Sequence, residues 1–177
     1  EPFDIPERWF RYRSIDVGGR FGITSCHWYA VDYDGNVWVY REYYATNRDA
    51  DQHAREILEM SRDEQYHYTV IDRAALSHLG LGETIAEVYM RHGIDIMPTF
   101  TKDRVAGWDT VHQYLRCEGE RPPKLRIFKA CRNMIRTLPQ LVHDETKPED
   151  LDTRGEDHAA DELRYFLQTL RGLKVPP

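Results

Sequence analysis

Residues Arg11 to Ile15 alternate in character and lead into Asp16-Val17-Gly18-Gly19, which predicts a strand ending at or just past Asp16. Thr24 to Tyr33 is rich in aromatic and β-branched residues, Asp34-Gly35 interrupts it, and Val37 to Tyr44 resumes the same pattern. An Asp-Gly pair between two such runs predicts a hairpin closed by a tight type I′ turn, which needs positive φ. The first third of the chain therefore reads as three consecutive antiparallel strands.

Helical spacing follows. Ala54, Ile57, Leu58 and Met60 fall on one side of a helix predicted over Arg48–Arg62. A short β-type run, His67–Ile71, delivers Asp72. A second helix over Glu83–His92 is stopped by Gly93, and a short strand over Ile94–Met97 is closed by Pro98. Asp103–Cys117 has helical spacing at Val105, Val111 and Leu115. After a turn at Gly119–Pro123 come a strand, Leu125–Phe128, and a short helix, Cys131–Leu138, ending at Pro139. Lys147–Gly155 reads as a polar loop, and Glu156–Leu170 as a final helix with Leu163, Phe166, Leu167 and Leu170 on its apolar side. The order β-β-β-α-β-α predicts an α/β fold. Strands placed after a helix add in parallel, giving a mixed sheet with helices packed on its faces.

Composition narrows the class. A chain of 177 residues, 41% hydrophobic and 31% charged, is long enough for one sizeable core and is not disordered. No apolar run is long enough to span a membrane, and no segment resembles a signal peptide. The chain opens on Glu1-Pro2 without Met, as an excised or processed domain would. A net charge of −6 argues against indiscriminate nucleic-acid binding but not against a local basic surface. Cys26, Cys117 and Cys131 are odd in number and lack zinc-ligand spacing, so they read as reduced thiols of a cytoplasmic protein.

The acids carry the chemistry. Asp157 and Asp161 are four residues apart and share a helical face, a pairing that a divalent cation would relieve. Asp16 ends the first strand and Asp72 ends the first strand after a helix. If those strands pair in parallel, both carboxylates emerge at one edge of the sheet, where the last helix can add Asp157. Each acid has a simpler reading. Asp16 suits a turn, Asp72 a strand-end pair or helix cap, and Asp157 the positive end of a helix dipole. His158, beside Asp157, reads as a packing or capping residue more than a proton-transfer group.

This composite resembles the ribonuclease H-like nuclease fold. More narrowly, it resembles the nuclease domain of the large terminase subunit of tailed bacteriophages. The resemblance runs through Ser14-Ile15-Asp16-Val17-Gly18, the hairpin Trp28 to Gly35, Val39 to Tyr44, Pro123 to Phe128 with Cys131-Arg132-Asn133, and Lys147 to Thr153. It closes on Glu156-Asp157-His158 with Asp161 and Arg164-Tyr165, and spans roughly Arg11 to Leu170.

The resemblance implies a ribonuclease H-like mixed sheet of three antiparallel strands followed by parallel additions, with helices on both faces. It implies an endonuclease that uses two Mg2+ or Mn2+ ions to cut concatemeric double-stranded viral DNA, largely without sequence preference, before and after a capsid is filled. Asp16, Asp72 and Asp157 match the family's metal-binding acids, and Asp161 a fourth acid of some members. Asp16 is the expected bridging ligand. Arg20, Arg73, Lys102 and Arg104 are the expected phosphate contacts, with solvated surface as the alternative. The family protein also carries an ATPase motor and works with a small terminase subunit and the capsid portal in the host cytoplasm. This chain has no G-x-x-x-x-G-K-[ST] loop, so residues 1–177 are expected to be the nuclease unit alone. A Holliday-junction resolvase or other ribonuclease H-like nuclease, and a non-catalytic docking module of the packaging motor, are the alternative readings.

Overall fold

A computed structural model describes residues 1–19, 21–78, 82–99, 103–145, 147, 150, 152 and 155–173. Three strands lead: β1 (Phe10–Asp16), β2 (Thr24–Val31) and β3 (Val37–Ala45). They pair antiparallel in sequence. Then α1 (Ala50–Ser61) crosses to β4 (Thr69–Ile71), which lies parallel to β1. A 3-10 turn at Arg73–Leu76 and α2 (Ile85–Arg91) lead to β5 (Ile96–Pro98), parallel to β4. After α3 (Arg104–Leu115), β6 (Leu125–Ile127) adds in parallel to β3, followed by α4 (Arg132–Thr137) and α5 (His158–Gly172). The six-stranded sheet has the order β5-β4-β1-β2-β3-β6. Three antiparallel strands followed by parallel additions is the arrangement expected from the sequence.

Two cores flank the sheet. On one face, Ala54 and Ile57 of α1 and Ala86, Val88 and Tyr89 of α2 pack on Ile15, Cys26, Trp28 and Ile71. On the other, Trp108 of α3, Met134 of α4 and the apolar side of α5 pack on Tyr12, Tyr29, Val37 and Val39. Phe166 of α5 stacks on Tyr29 with ring centroids 4.0 Å apart. Strand alternation sorts the two sets, because successive side chains point to opposite faces. On β3 the alternation breaks at a bulge, where Trp28 pairs Arg41 but Tyr29 pairs Val39. Tyr40 and Arg41 consequently both reach Glu64, just past α1. Among the described residues, no helix is long and apolar enough to cross a membrane.

Local chemistry sets the boundaries. Asp49 and Gln52 form a reciprocal capping box that starts α1, and Thr84 and Glu87 do the same for α2. The β2–β3 hairpin is not the type I′ turn that Asp34-Gly35 predicts. Gly35 N–H donates to Asp32 O at 3.0 Å and only Gly35 of the pair has positive φ, +74°. This is a three-residue loop, a turn followed by a left-handed glycine. The Asp32 carboxylate favours it by accepting from the N–H groups of Asp34 and Asn36.

The buried face of α3 also differs from the expected Val105–Val111–Leu115 stripe. Val111 is buried as expected, but Val105 and Leu115 are exposed, and Gly107, Trp108 and Thr110 complete the buried face. Gly107 allows the close approach. A Cβ there would lie 2.6 Å from Arg164 Cγ and 2.7 Å from Gln168 Cδ on α5.

Candidate functional site

The alternation of β1 sends Tyr12, Ser14 and Asp16 toward α5. The Tyr12 ring lies 5.5 Å from that of Phe166, Ser14 Oγ donates to Glu162 O at 2.9 Å, and Asp16 Oδ2 is 2.8 Å from His158 Nδ1. β1 and β4 are parallel with Ile15 opposite Ile71, so Asp16 and Asp72 leave the sheet at adjacent strand ends. Asp72 N–H donates to Ile15 O at 3.3 Å. Asp72 precedes the 3-10 turn, and its carboxylate makes no capping bond there.

Asp157 was expected in the first turn of the last helix. It stands instead at the residue before α5, with φ −105° and ψ −2°, and its side chain does not cap the helix. The carboxylate is thereby left for another role. His158 was expected to pack or cap; it holds Asp16 instead, because the first turn of α5 abuts the end of β1. Asp161, one turn into α5, is 8% exposed and ion-paired. Arg164 Nη2 and Nε reach Asp161 Oδ1 at 2.9 and 3.1 Å, and Arg104 Nη1 reaches Oδ2 at 3.3 Å.

Charge is unbalanced at the other acids. Burial pushes the Asp16 carboxyl above the usual carboxylate range; the His158 hydrogen bond opposes this, and repulsion from Asp161 and Asp72 adds to it. Burial and then Asp161 raise Asp157 in the same direction. His158 is raised, chiefly by its hydrogen bond to Asp16. The Tyr165 phenol is pushed up by burial and by the charges of Asp161, Asp16 and Asp72. Asp16 therefore feels Asp161 and Asp72, and Asp157 feels Asp161, repulsions that a cation would relieve. The arrangement is open: among the described residues, no three His, Cys, Asp or Glu side chains are grouped closely enough to hold a metal ion. Asp16 is turned to His158 and Asp161 to two arginines. Hard oxygen donors in a negative, partly buried field fit a divalent ion such as Mg2+, which needs few carboxylates and keeps several waters.

The basic residues divide. Arg104, an expected phosphate contact, pairs through Nε with Asp150 at 3.2 Å and through Nη1 with Asp161. It begins α3, which packs on α5, so these carboxylates already engage it. Arg73 is exposed and donates at 3.3 Å to Thr99 O. Arg20 and Lys102 lie outside the described residues.

Behind the acids lies a network that the sequence pattern did not single out. The His27 ring sits between Glu162, 2.7 Å from Nδ1, and Glu42, 3.0 Å from Nε2. Tyr29 Oη donates to the other Glu162 oxygen at 2.8 Å. Glu42 also accepts from the N–H groups of Asn133 and Met134 at the start of α4. Beside Asp157, Glu156 accepts from Arg136 and Tyr44, and the Arg136 bonds lead in lowering its carboxyl to about 2. Polar residues inside otherwise apolar strands, His27 and Glu42, are the sequence signal for this network.

No protein-family model matches the chain, and no curated protein matches it. Solved structures do. The P22 large terminase nuclease domain superposes with a TM-score of 0.77 at 18% identity, over 97% of this chain and 86% of that one. The chain has the fold of a large terminase nuclease domain. The large terminase nuclease domain of bacteriophage SPP1, solved with bound Mn, matches with a TM-score of 0.59 at 12% identity, over 88% of this chain and 84% of that one. The large terminase of bacteriophage HK97 matches with a TM-score of 0.66 at 13% identity, over 95% of this chain but 40% of that one.

Proposed function

We propose that this chain is a metal-dependent endonuclease that cuts double-stranded viral DNA during genome packaging, as the nuclease unit of a large terminase. The observation that carries this reading is that Asp16 and Asp72 leave the sheet at adjacent parallel strand ends, with Asp16 bonded to His158 of α5 and Asp157 the residue before that helix. The likeness to terminase nuclease domains, one of them solved with Mn, supports it.

Asp16, Asp72 and Asp157 would hold Mg2+ or Mn2+, two ions in the full site. When bound, such ions lower the pKa of the attacking water and offset charge on the departing 3′ oxygen. The chain's own residues prepare the site. His158 fixes the orientation of the Asp16 carboxylate through its 2.8 Å contact. Arg104 and Arg164 hold Asp161 as a paired anion, so it acts as a positioning group and adds negative potential at the acids. Glu156, tied to Arg136 and Tyr44, fixes the backbone that presents Asp157. The motor domain, the small subunit and the portal belong to the same proposal.

The deciding assay is cleavage of linear duplex, branched DNA and RNA–DNA hybrid, with Mn2+, with Mg2+ and with excess chelator. Metal-dependent cutting of the linear duplex that is lost in Asp16→Asn is expected. Undiminished cutting in chelator would overturn the metal mechanism, and preference for a four-way junction would move the assignment to a resolvase.

A further inference from the structure

A cavity of about 370 Å3 opens directly beside the acids, with Asp72 forming part of its wall. It lies at the carboxyl ends of β4 and β5, neighbouring parallel strands, where open α/β sheets leave a crevice for ligands. Its other polar walls are Arg73, Ser77, Thr99, Arg104, Arg164 and Tyr165. The guanidinium groups come from three elements: the turn after β4, the start of α3, and α5.

Their hydrogen bonding differs. Arg164 is committed, with Nε and Nη2 on Asp161 and Nη1 on Gln168 Oε1 at 3.2 Å, so it contributes charge more than open donors. Arg104 uses Nε and Nη1 on Asp150 and Asp161, and its buried Nη2 has no hydrogen-bond partner among the described residues. Arg73 is exposed, and its single hydrogen bond among the described residues is the 3.3 Å one to Thr99 O. A buried guanidinium N–H without an acceptor is costly, and such donors are satisfied best by anionic oxygens in a forked geometry. The cavity therefore presents cationic walls suited to an anion with several acceptor oxygens, next to where a phosphodiester would be cut.

We propose that this cavity seats a phosphate adjoining the scissile one, gripped by Arg73 and Arg104, and so fixes the register of the strand over Asp16 and Asp72. This rests on the nuclease reading above. Arg104, positioned by its carboxylate partners, then adds positive charge beside the phosphate, and exposed Arg73 supplies the open donors.

The test is a charge-deletion cycle. Binding of a short labelled duplex is measured with chelator present, so nothing is cut, for the wild type and Arg73→Ala. A single neutral methylphosphonate linkage is moved along the strand. At one position the neutral linkage should weaken wild-type binding about tenfold and the variant less than about twofold, with the variant's salt slope smaller by about 0.9. Arg73→Lys should keep the salt slope while recovering only part of the affinity. The same penalty in both proteins at every position would overturn the clamp, as would wild type that does not bind the duplex. Cleavage with Mn2+ on the same duplexes separates the two proposals. Cutting without any position-specific dependence on Arg73 removes the clamp alone, whereas the binding signature without cutting removes the nuclease reading alone.

Discussion

Replacing Glu162 with leucine removes the acceptor for two buried donors at once. Glu162 is fully buried, with one oxygen 2.8 Å from Tyr29 Oη and the other 2.7 Å from His27 Nδ1. His27 has a carboxylate on each nitrogen; burial alone would lower it, but Glu162 and Glu42 hold its proton up to about 9. Burial raises the Glu162 carboxyl while His27 and Tyr29 draw it down. Leucine leaves the imidazolium with Glu42 alone and the Tyr29 hydroxyl unpaired. Removing one member of a buried ion pair costs about 3–5 kcal/mol, and an unpaired hydroxyl about 1 kcal/mol more. Because Glu42 stays 3.0 Å from Nε2, a loss of about 4 kcal/mol is expected.

Urea unfolding at neutral pH, followed by tryptophan fluorescence, measures it. The double variant His27→Leu with Glu162→Leu should recover much of the loss, since no uncompensated imidazolium remains. The pH dependence has a definite sign. The folded state binds the His27 proton more tightly than the unfolded chain, so this stabilisation is full below about 6.5 and is lost as pH rises through about 9. The raised Glu162 carboxyl acts with the same sign: the folded state also holds this proton more tightly than the unfolded chain, and that contribution is lost as pH rises through the folded-state value. Wild type should therefore lose more stability than Glu162→Leu as pH rises. A Glu162→Leu protein within about 1 kcal/mol of wild type, with the same pH profile, would refute an ionic His27.

Asp16→Asn should abolish cleavage while its thermal midpoint stays at or above that of wild type, because the amide keeps a partner for His158 and removes a charge that burial disfavours; a collapsed midpoint would mean the carboxylate is structural. Added Mn2+ should raise the wild-type midpoint by mass action and leave Asp16→Asn nearly unmoved, as read by thermal denaturation. Gly107→Ala should destabilise, although the same exchange inside an unconstrained helix gains about 1 kcal/mol, because the new methyl meets an Arg164 held by Asp161. A gain in urea midpoint would show that α3 and α5 move apart freely.

The order of elements was legible because it rests on local patterns. Alternation gave β1 to β3, helical spacing gave α1, Gly93 marked the end of α2, and a strand following a helix implied the parallel pairing that brings Asp16 beside Asp72. What was hidden depends on contacts between distant residues. Nothing near Asp161 announces Arg104, 57 positions away. Nothing near His27 announces Glu162, 135 positions away. The face of α3 was misread for the same reason. A glycine carries no apolar signal, yet Gly107 is where the neighbouring helix comes closest. Asp157 was placed inside α5, whose start was read two residues early, because an acid suits both the first turn of a helix and the position before it.

The sheet order has a consequence for how this unit keeps company with other chains. Both outer strands, β5 and β6, are three residues long, and β5 ends in Pro98, which has no N–H to offer. The nine-residue β3 would otherwise present a long unpaired margin. β6 pairs only with Val37–Val39, and beyond it the Glu42 side chain ties the start of α4 to the strand. Little bare backbone remains for a second copy to pair with. Such a unit can stand at high local concentration without its sheets templating one another into aggregates.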